Sequence, residues 1–399
     1  MRFAQFAKVV LLLSASAFSF AAGPKQLAEL TASDGTPTDG FGTSVAVNGD
    51  TIIVGAPYAS IGSNSGEGAA YVFVKPSGGW GNHTEVAKLT PSDGSSDLWF
   101  GYSVAVDKDT IVIGSDDITS SSNVYVFVKP ATGWKDMTET AEFTGPDYLG
   151  LSVAIAGNTI VAGASEGAYL YLKPKGGWAS TSRANAVLTE SDPVRGDNFG
   201  ESVAISGKTV IVGAPARGNA GLGSASIFVK PRSGWTSMTQ TATLTASDGA
   251  DGDYFAFSVA ITSGFAAVGA PNHRSGGPAG AGAVYVFVEP LSGWSNGTES
   301  AELTPPVPVY GGAFGWSVAM AGSDALGGSP FNNNDDEGVG YLYKKSKSGW
   351  ETTSEAFAEL LPSDPVEGDS FAISEAMQGG TIIVGASKVG EAPGAAYVF

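Results

Sequence analysis

The chain has 399 residues, of which 43% are hydrophobic and 15% charged, so it can bury a sizeable core and is not a highly charged disordered protein. Its 21 Lys and Arg residues face 39 Asp and Glu residues, and the resulting net charge of −18 makes it a poor partner for nucleic acids or anionic membranes. The absence of cysteine excludes disulfides, thiolate metal sites and cysteine nucleophiles, and the presence of only two histidines, His83 and His273, excludes most histidine-based zinc or triad chemistry.

The N-terminal segment has the pattern of an export signal. Arg2 and Lys8 precede an apolar run that begins at Val9, and small residues follow it up to Ala21. This pattern predicts a signal peptide over residues 1–21. We therefore expect a secreted protein, extracellular or at the cell surface, with the periplasm as an alternative location. An uncleaved anchor is the weaker interpretation, and no later run of about 20 apolar residues predicts a membrane span.

Residues 22–399 consist of one pattern that recurs seven times, which predicts a single domain. Each unit contains an A-x-L-T segment, an F-G-x-S-V-A segment, a T-I-x-V-G-A-P segment and a Y-V-F-V-K-P-x-x-G-W segment. The Phe or its equivalent is found at Phe41, Phe100, Leu149, Phe199, Phe255, Phe314 and Phe371. The glycine that begins G-A-P or its equivalent is found at Gly55, Gly114, Gly163, Gly213, Gly269, Gly328 and Gly385.

Each unit predicts four short strands, because apolar β-branched runs alternate with turn residues. In the first unit the strands are predicted over residues 27–31, 42–47, 51–54 and 69–75. Runs such as Ile52-Ile53-Val54 lack polar alternation, which indicates sheets that are buried on both faces. We therefore predict an all-β fold, a seven-bladed β-propeller of four-stranded antiparallel blades. A stacked solenoid is the alternative.

The phase of the repeats predicts how the ring closes. The first unit begins with Ala28 to Thr31, which has no preceding Y-V-F strand, and the last unit stops at Tyr397-Val398-Phe399. The missing parts are complementary. We expect the N-terminal strand to complete the last blade as its outer strand, which would remove an exposed sheet edge.

The units resemble a known repeat. Phe41-Gly42 with Gly55-Ala56-Pro57, and Phe199-Gly200 with Gly213-Ala214-Pro215, resemble the FG-GAP repeat of integrin α-chain N-terminal propellers and of exported microbial proteins. The resemblance implies a seven-bladed propeller with a binding or cell-adhesion role. It also implies an upper face made by the loops that join strands two to three and four to one.

The calcium motif of the integrin repeats is missing from this chain. The connection that holds the motif in integrins is here a two-residue turn such as Asn48-Gly49. Calcium needs six to eight oxygen ligands, so this turn cannot enclose it. The metal function of integrins is therefore not expected at these positions.

Function is expected in the loops that vary while the framework repeats. The candidate ligand-binding residues in these loops are Tyr58, Arg217, His273, Arg274, Phe331, Asp335 and Asp336. His273 and Arg274 have no carboxylate or serine constellation beside them in the sequence, which favours surface or partner-contact roles. Asp335, Asp336 and Glu337 are the weak candidates for calcium, and no other cofactor is predicted.

Three further patterns have interpretations as framework features. Asp34, Asp93, Asp192, Asp248 and Asp364 recur once per unit and favour Asx-turns over a glycosidase acid–base pair. Tryptophans that follow a repeated glycine, such as Trp80 and Trp134, favour hairpin anchors over sugar stacking. Arg195-Gly196-Asp197 spells a cell-adhesion tripeptide, but Gly-Asp recurs before other Phe residues, which favours chance.

The leading hypothesis is an exported, non-enzymatic propeller that binds a protein or cell-surface ligand through its upper-face loops. The alternative is a lectin-like, carbohydrate-binding propeller, with or without calcium. The residue types in the sequence give the least support to a third hypothesis, a propeller hydrolase.

Overall fold

A computed structural model of the protein describes residues 23–116, 122–165, 167–215, 222–274, 276–332, 337–365, 367–387 and 393–399. All regular elements in these ranges are β-strands. The predicted signal peptide lies outside the described residues. Within those residues there is no helix of the length and apolar character needed to cross a bilayer.

The strands form seven sheets, each with four strands in antiparallel order from the inside outward. The innermost strands are β2 (Ser44–Asn48), β7 (Ser103–Asp107), β11 (Val153–Ala156), β15 (Ser202–Ser206), β20 (Ser258–Thr262), β25 (Val318–Ala321) and β29 (Phe371–Gln378). The second strands are β3 (Thr51–Ala56), β8 (Thr110–Gly114), β12 (Thr159–Ala164), β16 (Thr209–Ala214), β21 (Phe265–Ala270), β26 (Asp324–Ser329) and β30 (Thr381–Ala386). The blades are numbered 1 to 7 in this order.

The outer half of each blade completes the sheet. The third strands are β4 (Ala69–Val74), β9 (Val124–Val128), β13 (Gly167–Leu172), β17 (Ser224–Val229), β22 (Ala283–Val288), β27 (Val339–Lys344) and β31 (Ala395–Val398). The outer strands of blades 1 to 6 are β6 (Ala87–Leu89), β10 (Ala141–Phe143), β14 (Ala186–Thr189), β19 (Ala242–Thr245), β24 (Ala301–Leu303) and β28 (Ala358–Leu360). The outer strand of blade 7 is β1 (Ala28–Thr31).

The sheets close into a ring. Each innermost strand contacts the innermost strands of the two neighbouring blades, including β2 with β29. The closure predicted from the repeat phase is confirmed, because β1 pairs antiparallel with β31 in the register Ala28 to Val398 and Leu30 to Ala396. The fold is the predicted seven-bladed propeller.

The core lies in the seams between blades, which explains why the strand sequences lack polar alternation. In the seam between blades 7 and 1, Phe41, Ile52 and Tyr71 pack with Ile383 and Val398, and all five are fully or almost fully buried. The ring of Phe41 meets that of Tyr71 edge to face at 5.5 Å. Because each blade packs on two neighbours, both faces of its sheet are apolar.

The repeated Ser and Gly residues join each blade to the next by one contact that recurs seven times. The Ser hydroxyl of the innermost strand donates to the carbonyl of the F-G glycine or its equivalent in the next blade, over 2.7–3.0 Å. The glycine of G-A-P lies under that carbonyl: a Cβ on Gly55 would stand 2.0 Å from the Gly101 oxygen. The motif therefore encodes close backbone contact between blades.

Two local features differ from the prediction. The hairpin pairs Asn48 with Thr51, so its turn residues are Gly49 and Asp50, one position later than expected. The outer edges also carry a short parallel segment from the next blade. Three of these segments are regular strands: β5 (His83–Thr84), β18 (Met238–Thr239) and β23 (Gly297–Thr298). They cover edges that would otherwise be open to pairing with another chain.

Candidate functional site

The upper face of the ring is built from the 2–3 loops and the 4–1 connectors, as expected. The 2–3 loop of one blade is held by the connector into the next blade. Asp97 N donates to Ser65 O at 2.8 Å and Phe100 N to Glu67 O at 2.9 Å. Between blades 5 and 6, Ala313 N donates to Gly280 O at 2.8 Å. These backbone contacts place the variable loops on a fixed frame.

Aromatic side chains cluster on the upper face around the entries to the innermost strands. This region is called the mouth below. Tyr58 packs edge to face on Trp99, with ring centroids 5.4 Å apart. On blades 5 and 6, Phe257 lies 4.7 Å from Trp316, whose ring meets that of Phe331 at 5.2 Å. Phe257 and Trp316 occupy the variable position of the F-G-x-S motif, at the entry to the innermost strand. That position therefore lines the mouth.

A cavity of about 380 Å³ opens at the mouth across blades 2, 3 and 4. Its lining combines aromatic, acidic and amide side chains, namely Tyr102, Asp116, Tyr148, Leu151, Ala164, Ser165, Asn198 and Glu201. Tyr148 is 40% exposed. Its φ of 61° belongs to the frame, because the residue before the repeated Phe has a positive φ in every blade, as at Trp99 and Tyr254. Among the described lining residues there is no Lys or Arg, so the cavity suits a cationic or amphipathic ligand group.

A second cavity, of about 410 Å³, lies under the connector of blade 4. Blade 4 has Ser226 at the strand position that Tyr71 and Tyr285 occupy in blades 1 and 5, so it has no tyrosine ring at that position. Glu190 lines this cavity, and partial burial, together with a hydrogen bond to Asp197, raises the pKa of Glu190 to about 7. Glu190, next to Asp197, therefore holds its proton more tightly than an exposed glutamate does.

Asp197 belongs to the Arg195-Gly196-Asp197 tripeptide, and its oxygens face its own loop. They accept hydrogen bonds from Val194 N and Phe199 N, each at 3.1 Å. Asp253 accepts from Ala250 N at 2.8 Å in the equivalent loop of blade 5. Asp197 therefore has a framework role, in agreement with the interpretation that the tripeptide arose by chance.

His273 is in a different environment from the one expected. It is 3% exposed, and its Nδ1 lies 2.7 Å from Asp253 Oδ2. Its Nε2 lies 3.4 Å from Asp248 Oδ2 and 3.7 Å from Glu302 Oε1. The expectation of a surface histidine without nearby carboxylates was wrong. The three acids lie on other segments of the chain, and only the packing of connector, loop and outer strand brings them together.

A family model for the FG-GAP repeat matches residues 24–73, 83–127, 183–228, 238–287 and 355–399, which together make up more than half of the chain. The protein belongs to the FG-GAP repeat family. No curated protein matches the sequence.

Each matched FG-GAP segment begins at the outer strand of one blade and runs through the first three strands of the next. The segment 24–73, for example, contains β1 of blade 7 and β2, β3 and β4 of blade 1. The FG-GAP unit is thus offset from the blade by one strand, which is why the ring closes by sharing a blade between the two ends. The first three strands of blades 3 and 6 are unmatched but keep the Ser-to-carbonyl contact through Ser152 and Ser317.

The predicted ligand residues of the FG-GAP loops have different environments. Tyr58 is 38% exposed, Arg274 is exposed and Phe331 is partly buried. Glu337 accepts the Phe371 amide through its main-chain oxygen at 3.2 Å. Arg217, Asp335 and Asp336 lie outside the described residues, so the predicted calcium loop is described only at its edges.

The repeated Asp does more than form a turn. Asp34 accepts from the Tyr71 hydroxyl at 2.9 Å and from Lys88 Nζ at 2.6 Å. Burial alone would raise the pKa of Asp34, but these two bonds outweigh it and lower the pKa. The Asx-turn interpretation is therefore incomplete. The repeated tryptophans are mostly buried, for example Trp235 at 5%, which supports the packing-anchor interpretation.

Proposed function

We propose that this FG-GAP propeller is an exported, non-enzymatic binding protein that captures a protein ligand through the mouth of its upper face. The observation that supports the proposal most strongly is the mouth cavity, where Tyr102 and Tyr148 accompany Asp116 and Glu201. A Lys or Arg side chain of a partner would place its charge between the carboxylates and its stem against the aromatic rings.

The charge of the whole chain supports the same class of partner. A net charge of −18 attracts basic surfaces at long range and raises the rate of encounter with them at low salt. The aromatic rings around the mouth, such as Tyr58 and Trp316, are of the residue types that carry binding energy at protein interfaces.

Export and adhesion belong to this proposal. The pattern of residues 1–21 supports export. A hydrolase is less well supported, because both oxygens of Asp197, the hydrogen-bond partner of Glu190, also accept backbone hydrogen bonds.

A carbohydrate ligand is the second candidate. The two tyrosines of the mouth cavity offer apolar ring faces, while Asn198 and Glu201 offer hydrogen-bonding groups beside them. This combination would also fit the faces and hydroxyl groups of a sugar. A calcium-assisted form of this function would require the loop around Glu337 to bind the ion.

Binding of the mature protein to a displayed peptide library and to a glycan array tests the proposal. We expect enrichment of Lys- and Arg-containing peptides and loss of their binding at high salt, but no effect of EDTA. Tyr148→Ala and Glu201→Gln should each weaken the selected peptides about tenfold, which corresponds to about 1.4 kcal/mol.

Leu291→Ala is the matched control, because Leu291 is fully exposed on a turn outside the upper face. Peptide binding that is unchanged in both mouth variants would contradict the proposed site. Saturable glycan binding that is lost in Tyr148→Ala would favour the carbohydrate-binding alternative instead.

A further inference from the structure

A cluster of ligand-type atoms lies at the upper end of blade 5, separate from the mouth cavity. Asp248 comes from the connector after β19, His273 from the loop after β21, and Glu302 from the outer strand β24. One side-chain atom from each lies within 4.8 Å of the others. Asp248 is half exposed, whereas the side chains of Glu302 and His273 are 14% and 4% exposed.

Two atoms of the cluster are buried without a hydrogen-bond partner. They are Nε2 of His273 and Oε1 of Glu302, and they face each other. Nδ1 of His273 is engaged by Asp253, and the Tyr285 hydroxyl donates to the remote oxygen of Asp248 at 2.9 Å. With Nδ1 bonded to Asp253, Nε2 is the imidazole atom that faces the two carboxylates, and a cation held between these three groups would satisfy all of them.

Blade 1 has a different set of side chains at the positions equivalent to this cluster. The loops correspond, since Gly68 N donates to Ala59 O at 2.9 Å and Gly282 N to His273 O at 3.0 Å. In blade 1 the outer strand supplies Lys88, whose ammonium binds Asp34. Blade 5 has Glu302 at the position of Lys88, and His273 at that of Ala59. Blade 5 thus lacks the lysine ammonium of blade 1 and has two potential metal ligands, Glu302 and His273, in this region.

The separations fit a transition-metal ion. Ligand atoms about 2.0–2.1 Å from a tetrahedral zinc ion lie roughly 3.4 Å apart. The observed distances from His273 Nε2 are 3.4 Å to Asp248 and 3.7 Å to Glu302. Asp253 is hydrogen-bonded to the imidazole of His273, and the Tyr285 hydroxyl donates to Asp248. Hydrogen bonds of this kind orient the ligands in known metal sites. An imidazole ligand favours zinc-like ions over calcium or magnesium.

We propose that Asp248, His273 and Glu302 form a divalent transition-metal site, with Zn²⁺ as its representative ion. Asp253 positions the imidazole, and the exposed side of Asp248 leaves a coordination position open to water or to a ligand. The site ties the blade 4 to blade 5 connector to the loop and outer strand of blade 5.

Calorimetric titration of the EDTA-treated mature protein with Zn²⁺ tests the proposal. We expect one ion per chain, a higher melting temperature with Zn²⁺ than with Ca²⁺, and an affinity at least 100-fold lower in His273→Gln. Asp253→Asn should lower the affinity 10–100-fold, as removal of an outer hydrogen bond does in known sites.

Two variants separate metal binding from folding. Glu302→Lys recreates the Lys88 arrangement of blade 1 and should keep the metal-free melting temperature while abolishing Zn²⁺ binding. Asp34→Asn changes the equivalent aspartate of blade 1 and should leave Zn²⁺ binding unchanged. If the wild-type protein binds no stoichiometric Zn²⁺, or binds it as well after His273→Gln, the proposal is wrong and the cluster has a structural role only.

Discussion

At the residue scale, the G-A-P glycines are the most constrained positions of the repeat. A Cβ on Gly114 would stand 1.9 Å from the Gly150 carbonyl oxygen and 2.4 Å from the Ser103 hydroxyl. The clash is with backbone and with the hydroxyl that joins the two blades, so no rotamer relieves it. All seven units keep glycine at this position.

Gly114→Ala should lower the free energy of unfolding by about 3 kcal/mol, because blades 2 and 3 must separate to accept the methyl group. Urea denaturation measures the loss. Gly176→Ala is the control, since a Cβ there meets nothing within 4 Å, and it should change stability little. Equal stability of the two variants would show that the seam is more deformable than the contact distances indicate.

Glu375 is the residue that departs most from its repeat position. It lies on innermost strand β29, where the other units have valine, and both of its carboxylate oxygens are buried without a hydrogen-bond partner. Burial raises its pKa well above the usual range, and the nearby Ser317 hydroxyl offsets this only in part because it donates to the Ala372 carbonyl. Gly340 leaves room for the carboxyl group, since a Cβ there would lie 3.1 Å from its oxygen.

A raised pKa in the folded state means that the folded protein binds a proton more tightly than the unfolded chain. Stability contributed by protonated Glu375 is therefore lost as the pH rises above about 4.5, at up to about 1.4 kcal/mol per pH unit until the folded-state pKa is reached. Glu375→Val should remove this loss. The free energy of unfolding of the variant, measured by urea denaturation, should therefore exceed that of the wild type by an amount that grows from pH 5 to pH 7. A difference that does not vary with pH, as expected for the exposed control Glu355→Gln, would contradict the prediction.

At the element scale, strand β1 has two roles in blade 7. It pairs with β31, and its Ala28 and Leu30 are buried there. Gln26, two residues before the strand, makes a second contact. Gln26 accepts the Ser363 amide at 2.8 Å, as Glu85 accepts that of Ser33 at 3.0 Å one blade later. The N-terminal segment thus supplies both the outer strand and the contact to the preceding connector, which blade 1 takes from the chain after its own third strand.

Deletion of Gly23 to Ser33 should lower the melting temperature by roughly 10 °C or more, since it removes a buried strand and exposes the edge of β31. Scanning calorimetry of the mature protein measures the change. Leu30→Ala should reproduce part of it, at about 2–5 kcal/mol, whereas Leu27→Ala should not, because Leu27 is 56% exposed. An unchanged melting temperature of the truncated protein would show that β1 does not close the ring.

At the scale of the whole molecule, seven equivalent seams hold the ring and leave the loops free to differ. Blades 1 and 5 have closely similar loops and an aspartate–tyrosine bond in common, yet blade 1 pairs its aspartate with lysine and blade 5 with a buried histidine. Blade 4 lacks the tyrosine and holds a cavity instead. The contacts between blades are therefore uniform, whereas the polar side chains near the upper ends of the blades differ from one blade to the next.

Much of this architecture follows from the sequence because it repeats. Seven copies of F-G, Ser and G-A-P specify the same contact between neighbouring blades seven times, and the phase of the first and last strands specifies how the ring closes. The two partners of each contact lie at least 47 residues apart, but they occupy the same positions in their units every time. The position of the variable loops on one face also follows, because each lies at the same place in its unit.

The candidate sites depended on the tertiary structure, because their members come from segments that the sequence keeps apart. His273 is 25 residues from Asp248 and 29 from Glu302, and nothing between them marks the three as neighbours. Tyr102 and Tyr148 likewise line one cavity only because blades 2 and 3 are neighbours in the ring. Repetition determined the frame from local patterns alone, whereas the sites arise where blades meet and could be seen only once the ring was closed.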